Sequence, residues 1–409
     1  MQEHSRYAVG IDIGTTEVRA VVAHIDSTTG SPTIVGVGKA SSSGMRKGTI
    51  ATLAGPAQAI DEALGEAERM SGHQVNEAAM TINGTHILTT TVDGMIAVGS
   101  LDHEITHDDA MRLEEVATIG KIPQNREVLD VIPHNYRLDG QDNIKDPVGM
   151  TGTRLELDAH VISVLVPHLV NVQKTAELAK VRPSHIIVPG VAAARATLSE
   201  QQRENGVAVI DIGGSTTNVT IFEEGDLQAT VVLPYGGINI TNDLAIGLMT
   251  DPEIAEQVKL RHAVATMRAE HEEVSLKLKD ETLRFDTRDI DDIVTARLEE
   301  IFEGIEKAIK KAGYAGKLPG GVTLVGGTAN LRGIVEYAKS ALGIAVRVGR
   351  PSGVGGVADG IEDPRFAVAV GLMLIDSEVS SSSHSSDKTG TGLMPRAVSS
   401  LISKLFGKK

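Results

Sequence analysis

One phrase occurs twice in this chain. "GIDIGTTEVRAVV" (Gly10–Val22) and "VAVIDIGGSTTNVTIF" (Val207–Phe222) each run an apolar strand into Asp-Ile-Gly, then a turn of small residues, then a second β-rich run. The pattern predicts a β-hairpin at each place, with backbone N–H groups exposed at its tip. Two such hairpins predict a duplicated α/β domain with a cleft between its halves. Neither is a Walker loop, which needs G-x-x-x-x-G-K-[ST] ahead of a helix.

The chemistry of the turns suits phosphate. Small residues let the backbone approach an anion, and turn N–H groups form a nest for it. Thr15, Thr16, Ser215 and Thr216 add hydroxyl donors. Asp12 and Asp211 would repel bare phosphate, but make sense around a Mg²⁺ held mostly through its waters. A tight turn after a strand explains either copy alone; matching copies weaken that account. A third element, "GGVTLVGGTANLRGIVEYAKSAL", is a strand, a turn at Gly326 and Gly327, and a helix opening at Thr328. That is an approach geometry for an anion or a purine, though also an ordinary strand-to-helix loop. "LPYGGINITNDLA" adds Gly236 and Gly237 before a helix that Asn239 or Thr241 would cap.

Composition removes several function classes. The chain has 409 residues and no cysteine, which excludes thiol catalysis and Cys-ligated metal and predicts a reducing compartment. A net charge of −15 argues against general nucleic-acid binding. The thirteen histidines form no H-E-x-x-H pair, so a structural metal is not expected. Aromatic residues are 2% of the chain, so the cores must rest on Ala, Val, Ile and Leu. The longest clean apolar run, Phe366–Ile375, is about half of a bilayer span, and no signal peptide is visible; an intracellular chain that does not cross a membrane is expected. Residues 87–97 and 157–165 read as β-rich. Residues 253–311 read as helical, with Ile301, Ile305, Ala308 and Ile309 at helix spacing.

The C-terminus departs from the rest. "SEVSSSSHSSDKTGTG" (Ser377–Gly392) reads as a flexible tether, spanning about 20 Å as a coil. Beyond it, Met394, Val398, Leu401, Ile402, Leu405 and Phe406 form one apolar stripe on a helix, with Arg396 and Lys404 opposite. This stretch carries cations and no acid, in an acidic chain, which predicts an anionic membrane surface as its partner. A docked terminal helix, or a peptide bound by another protein, is the plainer alternative.

The two hairpins and the Gly-Gly turn, in this order, resemble the actin-like ATPase superfamily. Within it, "VGVGKASSSGMRKGTIATLAGPAQAIDEALGEAERMSG", "AAMTINGTHI" and "IPHNYRLDGQDNIKDPVGMTGTRLELDAHVI" are similar to the FtsA family of bacterial cell-division proteins, over residues from about 7 to 375 and again in the tail. The resemblance implies a two-lobed actin-like, ribonuclease H-like duplicated fold with an inserted α+β subdomain. The first lobe would hold 1–83 and 164–203, and the insert 84–163. The second lobe would hold 204–245 and 315–375, with a helical subdomain at 246–314, a linker at 376–392 and a membrane helix at 393–409. It implies ATP and Mg²⁺ as ligands. Asp12, Gly14, Thr15 and Thr16 would form the first phosphate hairpin; Asp211, Gly213, Gly214 and Ser215 the second. Gly236, Gly237 and Asn239 would lie beneath phosphate and ribose. Glu256 and Lys259 would reach ribose and adenine, or be a surface ion pair, and Gly326, Gly327, Thr328 and Asn330 would hold the adenine side.

The implied role is a polymerising scaffold on the cytoplasmic face of the cell membrane at the division site. It would tether the tubulin-like protein FtsZ, through Arg297 and Glu300 of the helical subdomain, and recruit later divisome membrane proteins; a solvated helix face accounts for that residue pair equally well. Two departures matter. Many relatives carry Lys where this chain has Glu17, with Arg19 the only substitute cation nearby. Where relatives that hydrolyse well place Glu or Gln, this chain reads Val188, Pro189 and Gly190, so ATP turnover should be slow at most. A small-molecule kinase and a pilus-assembly adaptor on the same core are the alternatives. No role for Met45, Arg46 and Lys47 follows from the residues.

Overall fold

The computed structural model describes residues 6–99, 102–277, 282–356 and 360–382. The predicted tail helix, from Met394 to Phe406, lies outside the described residues.

The repeated phrase folds as a repeated sheet. Arg6–Ile13 pairs antiparallel with Glu17–Ile25, which pairs with Pro32–Ser41; Glu77–Thr81 and Arg182–Ile187 then add in parallel on the other side. In the second lobe Val207–Ile212, Thr217–Glu223 and Asp226–Leu233 form the same meander, and Val322–Val325 and Val346–Val348 add in parallel. Every residue of Val207–Ile212 and Val322–Val325 is buried, as expected of strands covered on both faces. The first sheet gains a sixth short strand, Gly355–Gly356, from late in the chain.

Scarce aromatics are offset by close backbone approach. Helix Ala54–Ser71 lays Ala59, Ala63 and Ala67 on the first sheet, and a Cβ at Gly38 would stand 1.9 Å from the Ala63 carbonyl oxygen. Helix Ala367–Ser382 crosses helix Pro189–Thr197 so tightly that a Cβ at Gly371 would stand 1.7 Å from the Ala192 carbonyl oxygen. Small residues thus let these backbones approach where larger side chains would not fit.

The insert has its own sheet, Leu88–Ala97, Arg154–Leu165, Arg126–Leu138 and Gln141–Ile144, and one helix, His107–Thr118. Thr106 and Asp109 close a capping box at that helix. Leu113 and Ala117 meet Val92, Leu155, Leu157 and Val161 in a separate core.

The structure corrects three expectations. Residues 253–311 are not helical throughout: helices Pro252–His262 and Thr287–Lys311 are separated by a hairpin, Glu273–Lys277 with Thr282–Asp286. There Val274 with Leu276, and Leu283 with Phe285, alternate at a period of two. The segment from 376 does not begin as a tether, because the last helix runs on to Ser382. Asp376 accepts from the Val9 N–H at 3.0 Å and the Ser184 hydroxyl at 2.6 Å, and Glu378 pairs with Arg195. Polar residues here mark a docked helix face. Finally, helix Gly237–Gly247 is capped by neither Asn239 nor Thr241: Gly236 is the N-cap, and the Asn239 Oδ1 reaches back to accept its N–H at 3.0 Å.

Candidate functional site

The two hairpin turns meet. Thr15 Oγ1 and Ser215 Oγ lie 2.8 Å apart across the lobes, and Asn83 Nδ2 donates to Thr216 Oγ1 at 3.2 Å. The second turn is also stitched to the helix beneath it: the N–H groups of Gly237 and Ile238 donate to the carbonyls of Gly213 and Gly214 at 2.9 and 2.7 Å. The third element closes from the side as a short 3₁₀ turn, Gly327–Asn330, ahead of helix Ile334–Leu342, rather than as a helix opening at Thr328. Gly326 has φ +85°, and a Cβ there would stand 2.4 Å from Asp211 Oδ1. Only glycine combines that angle with that approach.

Between these parts lies a cavity of about 720 Å³. Its wall takes in Asp12, Gly14, Thr15 and Thr16 from the first hairpin, and Asp211, Gly213 and Gly214 from the second. Gly237, Glu256 and Lys259 line the helical side; Gly326, Gly327, Thr328 and Asn330 line the far end. Ser215, Gly236 and Asn239 stand behind the wall, bonded to Thr15 and to one another.

Glu256 and Lys259 belong to a network. Lys259 Nζ donates to Glu256 at 2.7 Å, to Thr241 Oγ1 at 2.8 Å and to the Gly237 carbonyl at 3.1 Å. Glu17 pairs with Arg19, whose guanidinium also lies 5.7 Å from the Phe366 ring centre. Asn83, Leu260, Arg332, Asp363 and Arg365 line the cavity too and were not anticipated from the sequence. Asp363 accepts from Asn330 at 2.9 Å and from Arg365 at 2.8 Å. The signals were an Asp-Pro-Arg helix start and the position of Asn83 just past a parallel strand's carboxyl end, where open α/β sheets bind ligands.

The two repeated aspartates are electrostatically unusual. Burial pushes Asp12 up to about 6, against the pull of Arg19 and of the Thr81 hydroxyl. Burial and the Asp12 charge push Asp211 up to about 7, against the Asn218 amide and Arg19. Two carboxylates thus face one cavity edge, each with a single side-chain hydrogen bond, from Thr81 and Asn218. Such a pair is a set of hard oxygen donors of raised proton affinity.

Comparison with known proteins decides the family. A model of the family described as "Cell division protein FtsA" matches residues 208–371, and one for the "SHS2 domain inserted in FTSA" matches 84–163. The cell division protein FtsA of Bacillus subtilis is 36% identical over 89% of this chain and 82% of its own length. The chain belongs to the FtsA family. FtsA of Pseudomonas aeruginosa is 32% identical, covering 96% of this chain and 97% of its own. Among solved structures, a protein of the PilM-PilN type IV pilus biogenesis complex has a TM-score of 0.66 at 19% identity, covering 91% of this chain and 98% of its own. ADP-bound MreB5 of Spiroplasma citri gives 0.57 at 13%, covering 93% and 99%. These likenesses show the two-lobed actin-like fold.

Two further regions singled out in the sequence can be placed in this FtsA-family structure. Arg297 is fastened to Asp243, across to helix Gly237–Gly247, as well as to Glu300; Glu300 itself is exposed. Helix Pro189–Thr197 starts at the cavity, where Pro189 forms part of the wall without a carboxylate or amide of its own. No described helix is long and apolar enough to cross a membrane.

Proposed function

We propose that the cleft binds ATP with Mg²⁺, and that nucleotide governs conformation and self-assembly more than it drives turnover. The observation that carries this is the pair of under-partnered aspartates at the ends of duplicated strands, facing one cavity of about 720 Å³. Among the described residues no cluster of three or more His, Asp or Glu side chains could hold a metal unaided. A divalent ion here would rely on Asp12 and Asp211 through water and on ligand oxygens, its charge offsetting both carboxylates and phosphate. The turns Gly14–Thr16 and Gly213–Ser215 would supply N–H and hydroxyl donors to phosphate. Glu256 and Lys259 would face the ribose, and Gly326 to Asn330 the base. Turnover would be slow, since Pro189 occupies the place of a water-orienting side chain.

In the cell the chain would assemble head to tail on the cytoplasmic membrane surface at the division site. It would hold FtsZ filaments there and recruit later membrane proteins of the division machinery. Family membership supports the division role; the basic amphipathic pattern from Met394 to Phe406 supports the membrane contact, with assembly raising avidity. A pilus-adaptor role has only the shared fold behind it.

Calorimetry with Mg·ATP tests the site: the wild type should bind, and Asp211→Ala should lose at least tenfold in affinity. No heat from the wild type would end the reading. Liposome co-sedimentation tests the tail. A chain ending at Ser382, which keeps the Arg195–Glu378 pair, should stay in the supernatant while the full chain pellets.

A further inference from the structure

The insert grows out of the first lobe, yet it also touches the second. Thr89, near the start of strand Leu88–Ala97, donates its hydroxyl to the Thr230 carbonyl at 3.3 Å and accepts the Thr230 N–H at 3.1 Å. Thr230 lies on Asp226–Leu233, an edge strand of the second sheet. One hydroxyl therefore occupies a donor and an acceptor that a sheet edge would otherwise expose. Beside it Lys145 Nζ meets Asp226 at 2.7 Å and Glu224 at 3.6 Å, and Gln228 Nε2 lies 3.4 Å from His134 Nδ1.

The same place is held from the first lobe's body. Thr230 Oγ1 bonds Thr220 Oγ1 at 3.0 Å. Thr220 in turn lies against the start of helix Pro189–Thr197, where a Cβ on Gly190 would stand 1.8 Å from its Oγ1. Strand Thr217–Glu223 follows directly from the second hairpin turn. Thr220 is about 13 Å along the strand from Thr216, at roughly 3.3 Å per residue. The strand that carries this turn is thus gripped between helix Pro189–Thr197 and, through its neighbour, the insert.

We propose that the insert is a brace on the second hairpin: by pinning Asp226–Leu233 it fixes the separation of the lobes, and Thr89 is a positioning residue for the cleft. Leu227 and Val232 of the same strand also share an apolar core with Ile132 and Ile162 of the insert, so the brace is part polar and part apolar. Substitution at the brace should loosen the cleft without touching any residue that lines it. The kinetic arm of the test rests on the cleft being a nucleotide site; the conformational arm does not.

The chain's lack of cysteine allows clean labelling. Spin labels at Asp61→Cys on the first lobe and Lys339→Cys on the second, both exposed positions, would report the interlobe distance by pulsed electron resonance in the full chain. Thr89→Val and Lys145→Glu should each broaden the distance distribution. Each should also raise the dissociation rate of a fluorescent ATP analogue about threefold. Lys145→Glu combined with Asp226→Lys and Glu224→Lys, which reverses both acids that face it, should restore both. An unchanged distribution in the folded single variants, or broadening that the charge swap does not reverse, would overturn the brace. If the wild type takes up no nucleotide, the cleft reading fails while the distance measurement still judges the brace.

Discussion

The two lobes are built on one strand order, but they hang their extra domains from different places. In the first, the insert leaves after the first parallel strand, Glu77–Thr81. In the second, the helical subdomain leaves after the meander, past Asp226–Leu233. Both departures pass through residues of the cavity wall, Asn83 in one case and Gly237 in the other. The comparison teaches that position in the sheet is free, whereas proximity to the cleft is kept. The root of each appended domain therefore forms part of the cavity wall.

The strand ends that follow show where the comparison breaks hardest. Gly84 and Gly326 each sit just beyond a parallel strand with positive φ, +128° and +85°. A Cβ at Gly84 would press on Thr49 Cγ2, the end of a side chain, at 2.5 Å. At Gly326 it would press on a buried carboxylate and on the Ile212 carbonyl, at 2.4 and 2.6 Å. Gly326→Ala is expected to cost about 3 kcal/mol of stability, and Gly84→Ala about 1–2, by strain and overpacking. Gly327→Ala, which meets open space, should be near neutral. Chemical denaturation ranks the three, and a tolerant Gly326 would refute the packing of the turn on Asp211.

The roots of the two domains should also part company in acid. At the insert's root the rings of His86 and His168 stack at 4.1 Å. Arg126 donates to the His86 carbonyl and, at 2.7 Å, to that of Ser163. Burial, then the His168 and Arg126 charges, holds His86 down at about 4. The folded value lies below the unfolded one, so the unfolded chain binds the proton first as pH falls. Stability is intact above pH ~6.5 and is lost progressively toward pH 4, by about 2 kcal/mol at this group. Hydrogen exchange at pH 5 against pH 7.5, compared at equal intrinsic rates, should show strands Leu88–Ala97 and Arg154–Leu165 opening more. Helix Thr287–Lys311 should change less, and His86→Phe, which keeps a stacked ring without the proton, should remove the difference. Equal responses in both regions would refute it.

What the sequence made legible follows the same division. The repeated Asp-Ile-Gly turns, the Gly-Gly turn and the order between them pointed to both sheets and to the cleft, because strand-to-turn transitions are local. The paired strands Glu273–Lys277 and Thr282–Asp286 were hidden between two helical stretches, where a short period-two run is outweighed by its neighbours. The continuation of the last helix to Ser382 was hidden too, since its polar residues are satisfied by Val9, Ser184 and Arg195, from distant parts of the chain. Arg365 and Arg332 reach the cavity from the 3₁₀ turn at Pro364 and from the segment after Asn330, positions that only the tertiary fold assigns. The insert's grip on Thr230 has no signal in sequence at all, because a threonine on a strand is ordinary.

The smallest expected effect sharpens the reading of the helical subdomain. Arg297 and Glu300 share a helix face but do different work: Arg297 engages both oxygens of Asp243, while Glu300 has its side chain 67% exposed. Arg297→Ala should therefore cost about 1 kcal/mol, the loss of a charge-assisted pair between two helices. Glu300→Ala should be neutral within about 0.5 kcal/mol, as a surface change. If both substitutions weaken capture of an FtsZ C-terminal peptide while the Arg297–Asp243 pair is intact in Glu300→Ala, the exposed face carrying Glu300 contacts it. If only Arg297→Ala weakens it, the effect runs through the tie between helices Gly237–Gly247 and Thr287–Lys311, and Asp243→Asn should reproduce it. Peptide titration beside a thermal melt of each variant separates the two, and the exposed helix face is excluded as a contact if Glu300→Ala, and its charge reversal Glu300→Lys, leave the affinity unmoved.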